Sequence, residues 1–198
     1  MSNHFSKRAK EWDQLDRRVD GAKIIAHNIE KRVELTQEMD ILDFGVGTGL
    51  LGFEIAKKVK QVYGVDTAEG MLEKLKEKNS KNLHIVPIHQ EIIQEPLTQQ
   101  FDGVISSMTL HHVEDIEAFF QTIYKNIKKG GFIALADLEK ENGTFHSNNS
   151  DVHHFGFEES SLYSIVKKSG FNDIKIENIN TIQKPHGDFG VFLLTAKK

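Results

Sequence analysis

The chain has no cysteine among its 198 residues. That absence excludes disulfides, thiolate zinc sites, iron–sulfur clusters and cysteine nucleophiles. It also fits the reducing cytoplasm, which is the expected compartment. Proline is scarce, with only Pro87, Pro96 and Pro185. No run approaches the roughly 18 consecutive apolar residues of a membrane span. Residues 1–13 are charged and lack an apolar centre, so they do not read as a secretory signal. Neither sign of charge dominates: Lys plus Arg is 25 and Asp plus Glu is 29, a net charge of −4. That balance speaks against a duplex nucleic-acid partner held by phosphate contacts. Repeats and low-complexity linkers are also missing, so one domain is expected over residues 1–198.

What is present is an alternation of β-branched runs and amphipathic helical patterns, which predicts a mainly parallel sheet with helices on both faces. Ala22, Ile25, Ala26 and Ile29 recur at helical spacing within a helix expected over 5–33. Strands are expected at 39–44, 61–65, 83–88, 101–106 and 132–137. Helices are expected at 49–59, from Thr67 as N-cap to 78, from Asp115 as N-cap to 128, and at 158–169. Residues 140–157 are polar, rich in Asn and His, and read as a long loop of the kind that often carries function. Two last strands at 174–182 and 190–196 flank Pro185-His186-Gly187, which suits a hairpin. The expected fold is a Rossmann-like, doubly wound α/β sheet of seven strands, mostly parallel with the last strand antiparallel.

Strand one runs into Ile41-Leu42-Asp43-Phe44-Gly45-Val46-Gly47-Thr48-Gly49. Glycines between a strand and a helix let the backbone turn tightly and approach a ligand closely. Alone they define only a tight turn. Asp66 ends the second strand, at the place where an acid often binds the hydroxyls of an adenosine ribose. If Thr67 caps the next helix, that carboxylate is left for a ligand. The spacing Gly-x-Gly-x-Gly differs from the dinucleotide pattern, and Asp43 just before it would repel a pyrophosphate but attract an ammonium or sulfonium cation.

These residues resemble motifs of the class I S-adenosylmethionine-dependent methyltransferases, in particular small-molecule enzymes similar to the ubiquinone/menaquinone type. Asp43 to Gly49 with Asp66 resembles the first two motifs. Phe101-Asp102-Gly103-Val104-Ile105-Ser106-Ser107 resembles the fourth-strand motif. Leu110-His111-His112-Val113-Glu114-Asp115 resembles the segment after it, and Ile127-Lys128-Lys129-Gly130-Gly131-Phe132 the loop before strand five. The resemblance covers residues 36–138. It implies S-adenosylmethionine as cofactor, with Gly45, Gly47 and Gly49 along its methionine part and Asp43 near its ammonium. It places Asp66 on the ribose and Thr67 and Met71 beside the adenine. His89-Gln90-Glu91-Ile92 stands where the family often has an acid for the adenine amino group, so Gln90 or Glu91, with Ile92, is the implied contact. Ser106 and Ser107 would lie beside the methyl donor.

The resemblance also implies methyl transfer to a small-molecule acceptor, with no nucleic acid required. Asn/Asp-Pro-Pro-Tyr/Phe, usual after strand four in amino-directed nucleic-acid enzymes, is replaced by Ser106-Ser107-Met108-Thr109. The alternatives are a non-catalytic S-adenosylmethionine or nucleoside-binding module or regulatory subunit, and an NAD-linked oxidoreductase that the glycine spacing disfavours. His111, His153 and His154 are the candidate proton acceptors. Trp12, His112 and Phe157 are candidates for the acceptor pocket, with residues 1–35 as a helical lid and 140–157 as an acceptor-side loop. His111, His112, His146, His153 and His154 could together offer imidazole ligands, but their spacing matches no standard pattern, so no metal is expected. The oligomeric state is open.

Overall fold

In a computed structural model, residues 5–6, 9, 11–81 and 83–198 are described. The elements in chain order are α1 (Asp16–Arg32), β1 (Asp40–Phe44), α2 (Leu50–Ile55), β2 (Gln61–Asp66), α3 (Glu69–Lys78), β3 (Ile85–His89) and β4 (Phe101–Ser107). A short 3-10 turn at Leu110–His112 precedes α4 (Ile116–Asn126), β5 (Ile127–Leu138), α5 (Glu159–Lys168), β6 (Asn172–Lys184) and β7 (Gly187–Lys197). They form one seven-stranded sheet in the order β3-β2-β1-β4-β5-β7-β6. Strands β1 to β5 pair in parallel, while β7 runs antiparallel to both β5 and β6. Among the described residues no helix is long and apolar enough to cross a membrane.

Alternation along the strands explains why both faces need cover. Ile41 packs toward α1, α2 and α3, with Ile25, Ile29, Leu51 and Leu75; Leu42 packs toward α4 and α5, with Phe119, Phe120, Leu162 and Val166. In β5, Ala134 and Ala136 take the first face and Ile133 and Leu135 the second. Successive strand residues point to opposite faces, so each strand feeds both layers. The stripe Ala22, Ile25, Ala26 and Ile29 is buried on α1, as its helical spacing predicts.

The differences from expectation have local causes. Helix over 5–33 is interrupted: residues 13–14 form a turn and α1 starts at Asp16. There the Asp13 carboxylate turns back to accept from Thr48 Oγ1 at 2.5 Å and from Lys78 Nζ at 2.7 Å, tying the amino-terminal segment to the glycine loop and α3. Thr67 does not cap α3; the N-cap is Ala68, whose own amide is taken by Asp66 Oδ1 at 2.8 Å. Asp115 does cap α4, accepting from the Ala118 amide at 2.9 Å.

The 140–157 loop returns to the sheet through Gly156. Its φ is +64°, and a Cβ there would lie 2.0 Å from the Glu139 carbonyl oxygen. Glu139 and Phe157 form a parallel bridge at this point. A left-handed backbone costs a non-glycine residue about 1–3 kcal/mol before any clash is added. Gly156→Ala is therefore expected to lower stability by more than that amount in urea denaturation; an unchanged midpoint would contradict this role.

Candidate active site

The sheet order reverses between β1 and β4, and the carboxyl ends of these strands open a cavity of about 1150 Å³. Ligands of open α/β sheets bind at such a switch point. The glycine loop forms one wall. Gly45 (φ +68°) has no room for a side chain, since a Cβ would meet Thr109 Cγ2 at 2.2 Å. Gly47 (φ +54°) instead has open space where a Cβ would be. Its N–H donates to Asp66 Oδ2 at 2.8 Å, which bridges the loop to the end of β2.

Asp43 is 1 % exposed, and its Oδ2 is buried with no hydrogen-bond partner among the described residues. Burial, and then the neighbouring charge of Asp66, push its carboxyl well above the usual carboxylate range, against the Gly52 amide, which favours the ionised form. Burial also raises Asp66, against the amides of Ala68, Gly47 and Thr67 that favour its ionised form. Each Asp66 oxygen accepts one amide, yet a carboxylate offers about four lone-pair sites, so both oxygens keep capacity for a ligand's hydroxyls. Two carboxylates held side by side at the cavity wall suit a cation near Asp43 and a diol near Asp66.

Most of the other expected cofactor contacts also line the cavity: Thr67, Met71, Gln90, Glu91 and Ser107. Three do not. Ile92 is 1 % exposed in the core, and Ile93 and Gln94 take its place at the wall. Ser106 points into the sheet and donates to the Phe44 carbonyl at 2.7 Å. Gly49 is the N-cap of α2, and its Cα faces Phe53 and Ile85.

The second lobe is lined by Phe5, Trp12, His111, His112, Phe145, His146 and Lys184. His111 is 1 % exposed; its Nδ1 lies 2.6 Å from Oδ1 of the fully buried Asp137, and its Nε2 lies 3.1 Å from His146 Nε2. His112 Nδ1 meets the Asp151 carbonyl at 2.5 Å, and its ring packs edge-on against Phe5. Burial, followed by the proximity of His111, lowers His112 to about 4. Burial, then His111 and His112, lower His146 to about 3. Burial alone would raise the Asp137 carboxyl, but the charge and hydrogen bonds of His111 and the Leu138 amide bring it below its ordinary value.

The late loop does not supply the expected side chains. His153 is exposed, the ring of His154 stacks against Phe157 at 5.2 Å, and neither lines the cavity. Their backbone amides matter instead: both donate to the His111 carbonyl, at 3.0 and 3.2 Å. Phe157 is a core residue against Phe192 rather than a pocket wall. The groups that sequence reasoning did not assign to the site are Asp137, seen only as a strand residue, and Lys184 on β6. His146 was named only as one imidazole among several. Histidines 35 residues apart in sequence carry no local signal of their contact.

A methyltransferase-domain family matches residues 42–135. An uncharacterised methyltransferase of Geobacillus sp. is 32 % identical over 149 residues, covering 69 % of this chain and 68 % of the relative. One of Schizosaccharomyces pombe is 30 % identical over 156 residues, covering 70 % of this chain and 55 % of the relative. The protein belongs to the class I S-adenosylmethionine-dependent methyltransferase family. The chain spans about half the length of the first curated relatives it matches, 55 % and 56 %. Among solved structures, the DhpI–SAH complex matches with a TM-score of 0.78 and 18 % identity, covering 98 % of this chain and 93 % of that one, a likeness of fold.

The raised carboxyl of Asp43 makes a stability prediction for the ligand-free protein. A folded pKa above the unfolded value, about 3.9, favours folding below that value, and this contribution is lost as pH rises through the folded pKa. Asp43→Asn removes the loss and relieves Asp66. The variant is expected to melt above the wild type at pH 8, with the gap closing toward pH 4. A gap that is independent of pH would contradict the assignment.

Proposed function

We propose that the chain binds S-adenosylmethionine and catalyses transfer of its methyl group to a small-molecule acceptor. The observation that carries the reading is the buried Asp43 carboxylate, one oxygen of which completes no hydrogen bond among the described residues, beside Asp66 at the switch point. A buried charge without a partner is costly, and a ligand ammonium placed there would compensate it. A dinucleotide would instead bring a pyrophosphate against the same carboxylate. The family to which the chain belongs, and the SAH bound in the DhpI structure, support the same ligand.

Asp43 would hold the ammonium, and Asp66 the ribose hydroxyls. Backbone from Gly45 to Gly47 would run along the methionine part, with Thr67 and Met71 beside the adenine and Gln90 or Glu91 at its edge. The cofactor supplies a methyl group already activated on a sulfonium. The protein's task is then to hold an acceptor in line with it and to keep water out. The lobe of Trp12, His111, His112 and His146 is the acceptor side. Phe5 and Trp12 from the amino-terminal segment, with the 140–157 loop, form the lid over it. His111, fixed through Asp137 and facing His146, anchors the imidazoles of that lobe.

Isothermal titration tests the reading. S-adenosylmethionine and its demethylated product are expected to bind, and NAD is not. Asp66→Ala removes a charged acceptor, and hydrogen bonds to charged groups contribute about 1.5–3 kcal/mol, so affinity should fall roughly ten- to a hundredfold. Unchanged affinity in folded Asp66→Ala would reduce this acid to a support for the Gly47 and Ala68 amides. The acceptor assignment has its own control: His153→Ala, with its exposed ring, should turn over as the wild type does.

A further inference from the structure

We propose that His111, His112 and His146 form a divalent transition-metal site, of the zinc class, whose open coordination position takes the nucleophilic heteroatom of the acceptor. The proposal rests on the methyltransferase reading for its role but not for the site itself. One potential ligand nitrogen from each of the three rings lies within 4.8 Å of the others. His111 and His112 each use Nδ1 for a protein oxygen, the Asp137 carboxylate at 2.6 Å and the Asp151 carbonyl at 2.5 Å. Such partners fix the tautomer, leave Nε2 with a lone pair, and are the usual outer support of metal-bound histidine.

The third ring gives the independent sign. His146 Nε2 faces His111 Nε2 at 3.1 Å. Two nitrogens of the same kind turned toward each other need either a shared proton or a shared cation. A tetrahedral ion with bonds of about 2.0–2.1 Å places its nitrogens roughly 3.4 Å apart, close to the observed separation. His112 brings a ligand nitrogen within 4.8 Å of the other two, and all three residues border the cavity. His146 stands on the 140–157 loop, so its ring can adjust without moving the sheet.

The donor set selects the ion. Three neutral imidazoles with an outer carboxylate suit zinc, cobalt, nickel or copper, not magnesium or calcium. Three protein ligands also leave a fourth position open, as in catalytic sites and unlike closed structural ones. The three histidines line the same cavity as Trp12 and Lys184, so an acceptor bound there can reach the fourth position. The acceptor class that follows carries an ionisable hydroxyl or thiol. On binding the cation, its X–H proton passes to solvent, because a bound divalent ion lowers that pKa. The X electron pair then forms the bond to the methyl carbon, the carbon–sulfur bond breaks, and its electron pair leaves on sulfur as a neutral thioether.

The test uses untagged full-length protein titrated with Zn²⁺, and with Co²⁺ as a spectroscopic probe. One ion per chain is expected by elemental mass spectrometry after dialysis, with visible Co²⁺ bands of low-symmetry nitrogen coordination. His146→Gln should abolish the bands. Asp137→Asn, which keeps shape but removes the charge behind His111, should weaken metal binding about 10–100-fold. S-adenosylmethionine affinity should stay unchanged in His146→Gln, which shows that the variant is folded. Metal binding that is absent from the wild type, or equally strong in His146→Gln, would overturn the site and leave the three rings as a metal-free proton-transfer cluster. Failure of S-adenosylmethionine binding with the metal bands intact would instead sink the methyltransferase reading alone.

Discussion

Asp43 holds a carboxyl inside the sheet with one oxygen that completes no hydrogen bond among the described residues, the Gly52 amide opposing its burial only in part. An ion buried without a partner destabilises a fold by on the order of several kcal/mol. The surrounding structure bears this through apolar layers on both faces of β1, with Ile41 and Leu42 fully buried to either side of the chain direction. The cost is understandable if a cationic ligand is the missing partner. The same carboxylate that weakens the ligand-free fold at neutral pH is what gives the cavity its chemical selectivity, the usual tension between stability and function.

The second lobe follows a different principle. Nothing in the sheet alone would bring three imidazoles together. The 3-10 turn after β4 presents His111 and His112, β5 supplies Asp137 from beneath, and the long loop lays His146 across them. The amides of His153 and His154 then clamp the His111 carbonyl from the same loop. The loop thus shapes the site mainly through backbone, with one ring contributed directly. Such a loop can vary while the sheet stays constant, which suits it to choosing the acceptor.

The sheet was largely legible in the sequence because its signals are local. Short β-branched, apolar runs mark β1, β2 and β4, as strands buried on both faces require; the glycines mark the turn between β1 and α2; and the terminal hairpin follows from Pro185 to Gly187. Asp43 and Asp66 were legible as the ends of strands beside that turn. What stayed hidden depends on contacts distant in the chain. The break before α1 exists because Asp13 reaches Thr48 and Lys78. Asp66 supports the Ala68 amide, so Thr67 is not needed as a cap. The adjacent pair His153-His154 looks functional as letters, yet its rings turn away and its amides do the positioning. Asp137 reads as an ordinary strand residue until His111 is seen against it.

The central claim is that Asp43 pairs with a ligand ammonium, and a two-by-two binding measurement tests it most directly. S-adenosylhomocysteine carries the ammonium, and 5′-methylthioadenosine lacks it while keeping the ribose and adenine. Titrating both into the wild type and into Asp43→Asn isolates the one pair of groups. The account predicts that Asp43→Asn weakens S-adenosylhomocysteine at least about tenfold, in keeping with the loss of a charge-assisted contact, and leaves 5′-methylthioadenosine nearly unchanged. Equal loss for both ligands, or no loss for either, would contradict it.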